Sequence, residues 1–112
     1  MIFRCIKAYT VTYENPIEVK RGDTIIAGKF DTDWPAFRWC KGPDGREGWM
    51  PDDLLDETNG TFTANTDYSA RELGVHEDAV IEGLFENGGW WWCRNSKGDQ
   101  GWVPETHLEM ID

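Results

Sequence analysis

The chain has 112 residues, of which 21 are acidic and 11 basic, for a formal net charge of -10. So acidic a chain offers no basic face to nucleic acid or to an anionic membrane; it suits a basic partner, or serves solubility alone. No apolar run approaches the roughly 20 residues of a membrane-spanning helix, and Met1 to Lys7 lacks the apolar core and cleavage site of a signal peptide, so a cytoplasmic location is expected.

In chain order, Ile17-Glu18-Val19 alternates in the manner of a half-buried strand. Gly22-Asp23 turns the chain into Thr24 to Ala27. After a loop at Asp31 to Pro35, Phe37 to Lys41 reads as an aromatic-rich strand. Asp44-Gly45 is a hairpin signal, and Gly48-Trp49-Met50 is the return strand. Pro51 fits the start of a short helical turn, with Asp52-Asp53 at its favourable N-terminal end.

The order then repeats. Trp39-Cys40, Gly45, Gly48-Trp49 and Pro51 recur as Trp92-Cys93, Gly98, Gly101-Trp102 and Pro104, all 53 positions on. Upstream, Ala8, Ile17, Val19 and Ile25 match Ala64, Leu73, Val75 and Ile81 at a spacing of 56. The difference falls in the loop before Phe37 and Trp90, where a length change is tolerated. Glu57 to Gly60 is the polar gap between copies. It divides the chain into residues 1–57 and 58–112, and it is too short to be a free tether. No segment keeps a helical period. Each half reads as about five short strands, so the expected fold is all-β: two tandem small antiparallel barrels.

Together these residues resemble the Src-homology-3 (SH3) family twice over, in its bacterial or variant form more than its eukaryotic signalling form. The resemblance rests on Ala8-Tyr9, Gly22-Asp23, Phe37 to Cys40 and Gly48-Trp49-Met50-Pro51, and on Ala64, Tyr68, Trp90 to Cys93 and Gly101-Trp102-Val103-Pro104. It implies a ligand groove of aromatic rings that accepts an extended proline-containing peptide. Carried over by position, the groove residues are Tyr68, Trp90, Trp102, Pro104 and His107 in the second copy. In the first they are Phe37, Trp49 and Pro51, with Tyr9 nearby and Thr12 in the place of Tyr68. The acids that grip a ligand arginine in the family reduce to Glu14 and Glu72. The second copy, with the fuller ring set and most of the negative charge, is the expected site for a basic, proline-containing segment.

Strand alternation sends Trp90 and Trp92 to one face and Trp91 and Cys93 to the other. Arg38 stands where the second copy has Trp91, so that position is expected to be partly exposed. By the resemblance, Cys40 and Cys93 occupy the family's small core position, and they are expected to remain thiols. No metal-ligand spacing joins Cys5, Cys40, Cys93, His76 and His107, so no metal and no cofactor is expected. No nucleophile, base and orienting group come together either. The expected protein is a non-catalytic binding or scaffolding protein with a protein or peptide partner. Two other readings stay open: a cell-wall-binding module, and a structural subunit whose aromatic faces make a homo-oligomer.

Overall fold

The computed structural model describes residues 1–112 and contains no α-helix. Its strands are β1 (Ile2–Cys5), β2 (Glu18–Val19), β3 (Thr24–Phe30), β4 (Phe37–Lys41), β5 (Glu47–Pro51), β6 (Leu55–Thr58), β7 (Thr61–Ala64), β8 (Tyr68–Ser69), β9 (Val80–Asn87), β10 (Trp90–Arg94), β11 (Gln100–Pro104) and β12 (Leu108–Met110). Single 3-10 turns at Asp52–Leu54 and Glu105–His107 follow the two prolines. The fold is all-β, as the repeated landmarks require.

The strands form two compact units. Unit 1 joins Met1–Glu14 to Arg71–Asp112; unit 2 is the continuous stretch Asn15–Ala70. Unit 1 carries a five-stranded antiparallel sheet in the order β11-β10-β9-β1-β12. Unit 2 carries the matching sheet β5-β4-β3-β7-β6 and the short ladder β2-β8. The repeats and the compact units thus divide the chain differently. The first strand of each repeat completes the barrel built from the rest of the other.

A local cause is visible in four residues. β6 and β7 are paired through Thr58↔Thr61, and the two residues between them, Asn59 and Gly60, have φ of 54° and 80°. Two positive φ values make the tight hairpin turn whose twist suits antiparallel strands, and Asn-Gly is its preferred sequence. The polar gap between repeats is therefore a turn inside a sheet. It holds β7 beside β6, the last strand of the first repeat, and so fills the place that β1 would take. β1 pairs instead with β12 and β9.

The two placements match residue for residue. Cys5 lies opposite Leu108 and Phe3 opposite Ile81; Ala64 lies opposite Leu55 and Phe62 opposite Ile25. Farther on, Tyr9 bridges Val75, and Tyr68 pairs with Val19. Equivalent residues at this end are therefore Phe3 and Phe62, Cys5 and Ala64, Tyr9 and Tyr68. The match of Ala8 to Ala64 is corrected by three positions, and the counterpart of Tyr68 is Tyr9, not Thr12.

The core of unit 1 is Phe3, Cys5, Leu73, Val75, Ile81, Cys93 and Val103, all buried. In unit 2, Ile17, Val19, Ile25, Phe37, Cys40, Met50, Ala64 and Tyr68 are buried. Trp91 packs on Phe3 with ring centroids 5.0 Å apart, while Arg38 puts its guanidinium 4.8 Å from the centre of the Phe62 ring and 4.6 Å from that of Phe30. A cation over two rings replaces a ring pair at one structural position. The repeated glycine before Trp49 and Trp102 also has a structural reason. A Cβ on Gly101 would stand 2.6 Å from the carbonyl carbon of Glu72, and one on Gly48 would stand 2.9 Å from Ile17. In each unit a loop lies directly on that strand and is tied to it: Leu73 N–H donates to the Trp102 carbonyl (3.0 Å), and Ile17 N–H to that of Glu47 (3.2 Å).

Candidate functional site

On β10 and β11 the pairs Trp90↔Pro104 and Trp92↔Trp102 present four groups to one face of the ribbon. Trp102 and Pro104 are buried and form its floor. Trp90 is half-buried above them. Tyr9 meets it edge-on, with centroids 5.7 Å apart and planes at 80°. His107, at the end of the 3-10 turn, also meets Tyr9, at 5.4 Å and 81°. Three partly exposed rings, Trp90, Tyr9 and His107, thus cluster around Tyr9 on the surface of unit 1. Edge-to-face contacts of this kind hold rings in fixed orientations, so the three rings form a rigid surface.

The same face continues through Trp92, which packs on Trp102 at 5.3 Å, and Phe85, which stacks on Trp92 at 6.1 Å. Trp92 Nε1 donates to Gln100 Oε1 at 2.8 Å, so its indole is fixed as well.

Glu72, at the rim, is hydrogen-bonded within unit 1. Glu72 Oε1 accepts from the Thr12 N–H (2.9 Å) and from the Thr12 hydroxyl (3.0 Å). Burial, and then the charge and hydrogen bond of Glu72, push the Tyr9 phenol well above its ordinary range. Glu72 therefore fastens the loop around Tyr9. Burial and the nearby Lys7 ammonium lower the His107 pKa, so its ring favours the neutral form. Its Nδ1 lies 3.1 Å from the Thr106 hydroxyl.

Tyr68 does not join Trp90, Trp102, Pro104 and His107, because it enters unit 2 with β7. There it is buried, and its hydroxyl donates to the Trp49 carbonyl at 2.9 Å. The rest of the unit 2 set is more closed than its counterpart. Phe37 is 7% exposed and Pro51 is fully buried, while Trp49 is half-buried against Trp39 at 5.1 Å. Of the nine ring and proline positions read from the sequence, five come together in unit 1 (Tyr9, Trp90, Trp102, Pro104, His107) and four in unit 2 (Tyr68, Phe37, Trp49, Pro51).

A cleft of about 650 Å³ in unit 1 lies apart from these rings, between Leu73 to His76 and Asn95 to Asp99, and no aromatic ring other than His76 lines it. Cys5, Cys40 and Cys93 are free, buried thiols. Burial pushes Cys40 up to about 11 and Cys93 to about 12. Such thiols are poor nucleophiles. No three His, Cys, Asp or Glu side chains gather into a group that could hold a metal ion.

Two barrels, each with a ring-lined face beside a Gly-Trp-x-Pro strand, make a family assignment decidable. The variant SH3 domain family matches residues 2–58 and again 59–111. The chain belongs to that family. Among curated proteins, the mouse epidermal growth factor receptor kinase substrate 8 is 42% identical over 48 residues, and the human protein is 40% identical over the same length. The matched stretch is 40% of this chain and 6% of those much longer proteins. No solved structure matches significantly. SH3 domains are protein-binding modules, and this chain carries two in tandem. Both family matches follow the repeats, whereas the compact units exchange their first strands. No helix is long and apolar enough to cross a membrane.

Proposed function

We propose that the chain is a non-catalytic binding protein of the cytoplasm, and that the unit 1 groove takes an extended, proline-containing, basic peptide. The observation that carries this reading is the cluster Trp90, Tyr9 and His107, partly exposed above the buried Trp102 and Pro104. A polyproline segment is stiff and has flat apolar faces, so it loses little entropy on such a surface. Unit 1 has 5 basic and 10 acidic side chains, and so a formal charge of -5, which favours a basic partner. Three free thiols suit a reducing compartment.

The reading is tested by calorimetric titration of the full chain with synthetic lysine-containing proline-rich peptides. Binding is expected in the micromolar range that small interfaces give, weakening as salt rises, because exposed charges are screened beyond roughly 8 Å at physiological ionic strength. The Trp90→Ala chain should bind at least about tenfold more weakly and keep its fold. Unchanged affinity in that variant, or no binding by the native chain, would remove the groove as the site.

A further inference from the structure

We infer that β1 and β7 are interchangeable parts, and that the two-residue Asn59-Gly60 turn decides which barrel each one enters. The chain therefore holds a second arrangement, in which each repeat keeps its own first strand.

Both strands make the same core pairings in the same register, although Arg4 of β1 also pairs with Asp78 and Glu109 where β7 has Thr63. A phenylalanine faces an isoleucine (Phe3 and Ile81, Phe62 and Ile25), and a small buried residue faces a leucine (Cys5 and Leu108, Ala64 and Leu55). A tyrosine then pairs with a valine (Tyr9 and Val75, Tyr68 and Val19). Moving β7 into unit 1 and β1 into unit 2 would keep every one of these pairings. The strand sites themselves thus discriminate weakly between the arrangements. The connection discriminates strongly. Between Thr58 and Thr61 there are two residues, both in the left-handed conformation that closes a hairpin. Two residues extend about 7 Å at most, so they suit neighbouring strands of one sheet and give β7 no reach beyond it. Lengthening this connection would remove the bias and leave the strands free to choose. Tyr9 and Tyr68 would then trade grooves, each being replaced by another tyrosine.

The test uses the full chain and Cys5 as a reporter. The pairs 5–108 and 55–64 flank the hydrogen-bonded pairs set by Ile6 N–H to the His107 carbonyl and Asn65 N–H to the Leu54 carbonyl. They are therefore close, non-hydrogen-bonded pairs, with Cα atoms about 4.5 Å apart, inside the range of about 4.4–6.8 Å that a disulfide spans. Leu108→Cys in the native chain, refolded under oxidising conditions, should give an intramolecular bond from Cys5 to the thiol at position 108. Leu55→Cys should give no bond to Cys5 while the turn is intact. With a flexible glycine-serine insertion between Asn59 and Gly60, Leu55→Cys should make the bond from Cys5 to position 55 a major product, mapped by mass spectrometry. A second readout needs no new cysteine: in the chain with the insertion alone, ring-to-ring NMR contacts to Trp90 should come from Tyr68 as well as from Tyr9. The inference is overturned if the insertion leaves Cys5 paired only with position 108 and Trp90 contacted only by Tyr9. It is equally overturned if the insertion abolishes the folded spectrum, since interchangeable strands require both arrangements to fold.

Discussion

At the level of single residues, exposure on one ribbon separates a ring open to solvent from one that holds the barrel. Trp90 and Trp102 lie on the same face, but Trp102 is 7% exposed and Trp90 is half-buried. Trp102→Ala is expected to cost roughly 3–5 kcal/mol, the range for deleting a buried aromatic; Trp90→Ala should cost clearly less, and denaturant unfolding of both variants measures the contrast. In unit 2, Tyr68→Phe removes the hydroxyl that donates to the Trp49 carbonyl. It should destabilise by about 1 kcal/mol and leave peptide binding in unit 1 unchanged, as paired unfolding and titration curves would show. Much of this was readable in advance: strict alternation put Trp90 and Trp92 opposite Trp91 and Cys93, and Trp91 indeed packs on buried Phe3. Identity aligns Ala8 with Ala64 rather than Cys5 with Ala64, and so displaces Tyr9 from Tyr68. The true signal is a small buried residue four positions before a tyrosine, Cys5 before Tyr9 and Ala64 before Tyr68. It rests on size, which residue identity does not report.

At the level of elements, the turns at Asp44-Gly45 and Lys97-Gly98 and the short helical turns after Pro51 and Pro104 followed from local chemistry and are present. Asn59-Gly60 carried an equally strong hairpin signal. Its position between two repeats made it read as a linker, although a turn that tight specifies pairing of its own flanks. From that pairing follows the exchange of first strands, which repeat spacing could not show because both arrangements have the same spacing. The glycines divide in the same physical way. A Cβ on Gly101 would meet the Glu72 backbone at 2.6 Å, whereas one on Gly74 would find its nearest neighbour at an ordinary 3.6 Å. Gly101→Ala should therefore destabilise by several times the roughly 0.5 kcal/mol typical of a surface change, and Gly74→Ala should stay near that value. Thermal midpoints of the two variants would check the ordering.

For the whole molecule, exchange redistributes charge. The sequence halves differ, with 8 basic and 11 acidic residues in 1–57 and 3 and 10 in 58–112, but each compact unit has a formal charge of -5. The charge difference that favoured the second copy in sequence is therefore absent between the units, and the two differ instead in how far their rings are exposed. Stability should also depend on pH at both ends. His107 has a folded pKa below its ordinary 6.5, so the unfolded chain binds more protons there; its contribution is present above 6.5 and is lost as pH falls through the lowered folded pKa. Cys40 and Cys93 are raised from 9.0 to about 11 and about 12, so the unfolded chain releases protons first; their contribution is present below 9.0 and is lost as pH rises toward those values. Unfolding midpoints should thus be highest between about 6.5 and 9, and Cys93→Ala should flatten the alkaline limb. The central claim, that the open groove of unit 1 is the binding site, is tested most directly by NMR of the full chain with labelled tryptophan and tyrosine, titrated with a lysine-containing proline-rich peptide. The expected result is that Trp90 and Tyr9 shift in step with peptide concentration while Tyr68 and Trp49 stay in place; shifts confined to Tyr68 and Trp49, or none at all, would contradict it.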